Sequence, residues 1–347
     1  VSAIGLYALS SLPLSASLNL DFNFDGTVSG DAQAAALRAA GTWESVLADD
    51  VTVTVDFGFA SLGASTLGST SSVSLQGGYD LIRNQMVADN AVESAPNAIL
   101  ISLPTAATAS FTFLDNYGAN AITYGLSGNL TATKANFKAL GFSGLDTNFG
   151  ASDGTFSFSD SFNFDFDNRD GVSAGSYDFE SVVLHEIGHV LGFMSVVDEI
   201  DYRLAQGETT IDGIAPTILD LFRFDSDNLP TDDAEFAAFG RDLSTEDSAS
   251  LSDASIAYTM ETGNATGSGQ QASHFKDNGE IGTMDPTLSP GELAVLSAAD
   301  LLALDLIGWD VNPEAFLAIP EPAATALLTA SLALLCVMRR RSHMLVR

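Results

Sequence analysis

The sequence predicts an α+β protein built on a mixed sheet. Two observations carry this expectation. Between about residues 18 and 145, segments with helical spacing of apolar residues alternate with segments of period two, and a hydrophobic fraction of 46% over 347 residues is enough to fill a core. Residues 31–47 are Ala-rich and put Leu37, Trp43 and Leu47 on or near one helical face, whereas "VTVTVDFGF" from Val51 alternates as a strand does. A second helix is expected over 80–91, and "AILISLP" reads as a short buried strand closed by Pro104.

Residues 105–154 are rich in Gly, Ser, Thr and Asn, with one helical stretch, "TKANFKALGF". In "TFSFSDSFNFDFD" Phe156, Phe158, Phe162, Phe164 and Phe166 fall on alternating positions, which predicts a hairpin or two edge strands. An edge strand there would pair with an extended peptide; packing of the sheet explains the same phenylalanines equally well. The body closes with "LSAADLLALDLIGWDV". Ser297 and Asp300 begin a helix as a capping box, Leu301, Leu304 and Ile307 share a face, and Gly308 ends it.

Charge and cysteine content remove several classes of function. A formal charge of -32 and the absence of clustered Lys and Arg from the body argue against nucleic acid as a partner. The acidity fits a solvated, exported surface. Calcium is the alternative use of it, in "DFNFDG" (Asp21, Asn23, Asp25, Gly26) or "DFDNRDG" (Asp165, Asp167, Asp170, Gly171). Neither has the full spacing of a calcium loop. The only cysteine is Cys336, so the body holds no disulfide and no thiol nucleophile.

Both ends read as sorting segments. Residues 1–17 are apolar and small and end in Ser15, Ala16 and Ser17, the remnant of a secretory signal without its basic start. Near the C-terminus Pro320, Glu321 and Pro322 precede an apolar run over 323–338 and then Arg339, Arg340 and Arg341. The run is short of the ~20 residues of a membrane span, and the arginines would hold its end in the cytoplasm. This order resembles the PEP-CTERM sorting tail of Gram-negative bacteria. The resemblance implies transient membrane anchoring, cleavage by an exosortase, and delivery to the cell surface or extracellular matrix. The expected organisation is a signal remnant over 1–17, one domain over 18–312, a linker over 313–319 and the sorting segment over 320–347.

The chemistry concentrates in "SVVLHEIGHVLGFMS", residues 181–195. His185, Glu186 and His189 form H-E-x-x-H, which on a helix places two imidazoles one turn apart to share an ion, with the carboxylate of Glu186 beside the open position. The body contains only one further histidine, His274. No G-x-S-x-G elbow and no spare histidine are present for a Ser-His-Asp hydrolase. A third ligand is open among Asp198, Glu199, Glu208 and His274.

With Gly192, the motif extends to H-E-x-x-H-x-x-G and resembles the metzincin zinc metalloproteases, although Ser195 stands where a third histidine would follow. "SHF" through "MDP", holding His274 and Met284, resembles the leishmanolysin-like members, in which an insertion separates the motif helix from the last ligand. The resemblance implies a metzincin-like α+β fold: a mixed twisted sheet, an active-site helix and a mainly helical or irregular C-terminal subdomain. It also implies Zn2+ on His185, His189 and His274, Met284 as the apolar floor, Glu186 as general base, and a protein or peptide substrate. The other reading is a zinc-binding matrix or adhesion protein without activity.

Overall fold

The structure is a computed structural model and describes residues 17–318 apart from 247 and 278–280. The expected signal remnant, save Ser17, and the expected sorting segment over 320–347 lie outside the described residues. No helix among the described residues is long and apolar enough to cross a membrane.

The main sheet has four strands in the order Asn19–Phe24, Thr52–Ala60, Gly154–Ser159, Gly68–Ser72. The first three run parallel and Gly68–Ser72 runs antiparallel at the edge. Val53, Val55, Phe57, Phe156 and Phe158 are buried because the central strands are covered, and Phe57, Phe158 and Phe164 meet Phe179 at the head of the motif helix. Such aromatic pairs add to the burial of their area. The strand expected at the edge is therefore central, and its phenylalanines pack the core.

Helix Gly30–Glu44 is capped by Ser29, whose side chain accepts from Ala32 N. Its buried face is a stripe of Ala32, Ala35, Ala36, Ala39 and Ala40 ending in Trp43, and small side chains let it lie close against helix Phe179–Leu191. Leu37, expected on that face, is 55% exposed. Helix Tyr79–Asn90 follows as expected. Residues Ala98–Ser102 form a 3-10 helix instead of the expected strand: Asn97 accepts from Ile99 N, and only Ile99 and Leu100 are buried, so the run caps locally and needs no sheet partner.

The chain after residue 192 is mostly irregular with short elements. Helix Val197–Ala205 packs Val197, Ile200 and Leu204 on a small satellite core that includes Ala272. A three-stranded antiparallel sheet (Arg223–Asp225, Ala249–Ser252, Ala257–Thr259) and helix Ala298–Leu306 complete it. Ser297 and Asp300 form the expected capping box. The expected linker over 313–319 instead begins with helix Pro313–Ala318, whose Ala315 is buried against the core.

Candidate metal centre

The motif helix Phe179–Leu191 is fixed at both ends and along its back. Asp178 caps it by accepting from Ser181 N at 2.8 Å. Trp43 Nε1 donates to Leu184 O at 3.0 Å, and Trp309 Nε1 donates to Leu191 O at 2.8 Å, a carbonyl left without a helical partner at the C-terminus. Gly192 then turns the chain at φ +125°, where a Cβ would press on Ile307 and Asn136. The turn brings Phe193 O back to accept from His189 Nδ1 at 2.9 Å.

The fold gathers three histidines. His185 Nε2 and His189 Nε2 are 3.1 Å apart, and His274 Nε2 lies 3.1 Å from the former and 3.2 Å from the latter. Each Nδ1 donates to a backbone carbonyl: His185 to Thr283 O at 2.7 Å, His189 to Phe193 O at 2.9 Å, His274 to Gln271 O at 3.1 Å. With the proton fixed on Nδ1, every Nε2 turns a lone pair toward the same point. Burial holds all three imidazoles neutral, His189 down to about 3 and His274 well below its ordinary value, with the neighbouring imidazoles adding to the effect on both.

Three converging lone pairs repel unless a cation lies between them. Tetrahedral zinc with Zn–N bonds of 2.0–2.1 Å would space its nitrogens about 3.3 Å apart, close to the separations found, so the donor set fits zinc. Met284 is fully buried with its thioether against Gly188, between the two motif histidines. A Cβ at Gly188 would collide with that sulfur. Asp300 accepts from Thr283 N at 2.9 Å and Met284 N at 3.1 Å, so the cap of helix Ala298–Leu306 also steadies the carbonyl that orients His185.

Glu186 lines the same cleft and is 4% exposed. Burial pushes its carboxyl up to about 7, and a hydrogen bond from Thr70 Oγ1 to Oε2 at 2.5 Å works in the opposite sense. Gly68 on the edge strand passes so near that a Cβ would come 2.5 Å from Glu186 Oε1. The cleft, of about 1260 Å3, is walled by that edge strand on one side and by residues 282–295 on another.

The other ligand candidates are engaged elsewhere. Asp198 accepts from Ala272 N and Ser273 N, beside His274, while Glu199 and Glu208 pair with Arg203 at 3.3 and 2.8 Å. Ser195, at the position of the absent histidine, donates to Asp220 Oδ1 at 2.6 Å. In the two calcium candidates, Asp25 accepts from Thr27, Asp165 from Asp167 N and Ser173 N, and Asp167 pairs with Arg169. Among the described residues, ligand atoms of three His, Cys, Asp or Glu approach within 4.8 Å only at His185, His189 and His274 and at Asp89, Glu93 and Asp310.

Sequence patterns overlooked Thr70 and Gly68, and offered Asp198 only as a candidate ligand. "GSTSS" has no apolar alternation, and a lone buried aspartate leaves no periodic signal. No family model, no curated protein and no solved structure matches the chain.

Proposed function

We propose that the protein is a zinc endopeptidase of metzincin-like type, exported and displayed through its C-terminal segment. The observation that carries the reading is the convergence of three neutral imidazoles, within 3.2 Å of one another, in a cleft shared with the carboxylate of Glu186. A structural zinc site needs no base beside it. When bound, zinc supplies a Lewis acid and lowers the pKa of its water toward ~7.

The chain's own groups account for the remaining steps. Among the described residues the edge strand Gly68–Ser72 has a strand partner on one side only, so its free backbone groups can pair with an extended peptide laid along the cleft. Glu186 takes the proton of the attacking water on its carboxylate and passes it to the leaving amine. Burial, which raises this carboxyl, makes it a better proton acceptor than an exposed glutamate. Thr70 keeps it from rotating out of the cleft.

Export and trimming by an exosortase belong to the same proposal and rest on the sequence of residues 320–347. Purified protein with one zinc per chain should cut casein or a peptide library, and Glu186→Gln should keep the zinc while losing about 100-fold or more in rate. Zinc retained with no cleavage by either form would leave the non-catalytic matrix protein as the reading.

A further inference from the structure

His274 reaches the centre from a segment with little means of its own to stay ordered. Residues 262–273, "TGNATGSGQQAS", contain three glycines and few apolar side chains. Of these, Ala272 alone joins a hydrophobic cluster. Glycine loses more conformational freedom on folding than any other residue, so such a loop must be tied down by specific bonds.

Helix Val197–Ala205 supplies them. Asp198 and Asp201 are three positions apart and so lie on one face. Asp201, 4% exposed, accepts from Ala265 N at 2.9 Å, Thr266 N at 2.6 Å and Thr266 Oγ1 at 2.6 Å. Asp198 accepts from Ala272 N at 2.6 Å, Ser273 N at 3.1 Å and Ser273 Oγ. Ser273 Oγ also accepts from Ser195 N at 2.9 Å, so the loop is tied to the chain just beyond the motif helix. Asp220 anchors the start of the clamping helix by accepting from Ser195 Oγ and from Val196 N at 3.0 Å.

Gly263 completes the fit. It sits at φ +140°, and a Cβ there would lie 2.6 Å from Asp201 Oδ1. Bonds to ionised carboxylates are stronger than those between neutral groups, and here two carboxylates collect six N–H and O–H donors of one loop. We propose that Asp198 and Asp201 are positioning residues for the third metal ligand, clamping residues 262–273 so that His274 Nε2 is presented to His185 and His189. The proposal rests on the metal reading above. Neither carboxylate is itself a ligand.

The test titrates Zn2+ into metal-free full-length wild type, Asp198→Asn and Asp201→Asn against a competing chelator. Visible spectra of the Co2+-substituted proteins are recorded alongside, at a temperature where circular dichroism shows each folded. Zinc affinity should fall ~10–100-fold in Asp198→Asn, the usual effect of losing a partner that orients a ligand, and by less in Asp201→Asn. The Co2+ bands should weaken as tetrahedral coordination opens, a change that a loss of general stability would not produce.

Folded Asp198→Asn with wild-type zinc affinity and an unchanged Co2+ spectrum would overturn the clamp. If Asp198→Asn does not fold, Ser273→Ala decides, since it removes the hydroxyl that joins the loop to Asp198 and to Ser195 N and leaves the carboxylate. A tenfold loss of affinity then supports the clamp, and no loss rejects it. Wild type that takes up no zinc defeats the metal reading itself, and the clamp with it.

Discussion

The Thr70 hydroxyl donates to the Glu186 carboxylate at 2.5 Å, joining the edge strand to the motif helix across 116 residues of chain. Burial raises the Glu186 carboxyl to about 7 and this bond opposes the rise by favouring the charged form. In Thr70→Val the carboxyl should climb further, so in the proposed endopeptidase the base stays protonated over more of the pH range. The acid limb of kcat/KM should therefore move to higher pH, whereas Thr70→Ser should leave it in place. An identical limb in wild type and Thr70→Val would separate Thr70 from the chemistry.

Gly68→Ala tests how closely the edge strand must approach. The new Cβ would lie 2.5 Å from Glu186 Oε1 and 3.0 Å from Val182 Cγ1, and both belong to a helix pinned by two tryptophans. On the proposed endopeptidase reading, zinc content should stay at wild type and kcat should fall ~10–100-fold as Glu186 is displaced. Gly30→Ala, whose Cβ would meet nothing within 4 Å, should be silent in the same assay.

His274→Ala should abolish stoichiometric zinc, measured by atomic absorption after dialysis. Glu199→Ala and Glu208→Ala should retain it, because those carboxylates serve Arg203. Zinc that persists in His274→Ala but vanishes in either glutamate variant would reassign the third ligand.

Asp49, Asp89 and Glu93 make folding sensitive to pH. Burial, with Asp310 close by, raises Asp49 and Glu93 to about 8 and Asp89 to about 6. A carboxyl raised on folding favours the folded state at low pH and loses that contribution as pH climbs from its unfolded value near ~4 through its folded one. Asp49→Asn should accordingly match wild type near pH 4 and become the more stable of the two by pH 8, in urea melts with chelator present. A stability difference that does not change with pH would show that Asp49 keeps its ordinary acidity.

What the sequence made legible depended on whether a residue announces itself locally. His185, Glu186 and His189 are legible because helix geometry fixes their relation, and Ser297 and Asp300 because a capping box spans one turn. His274 was found because the body has so few histidines and Met284 follows close behind. Alternation at Phe156 and Phe158 fixed a strand but not its place in the sheet, since period two reads the same at the centre and at the edge. Asp198 was weighed as a ligand because its spacing allowed it. Its real partners, Ala272 and Ser273, lie 74 and 75 residues away, and no local pattern points to them.

His185 and His274 are 89 residues apart in the chain and meet through one shared point. A chain whose sole cysteine lies at position 336 has no disulfide to tie its described residues together, so an ion at that point would be their only strong staple. In loop-closure terms a cross-link over that length withdraws about 4.5 kcal/mol of freedom from the unfolded chain. The same atoms that would activate water would then also decide how long the protein stays folded, and a chelator would act on it as a reductant acts on a disulfide-bonded protein.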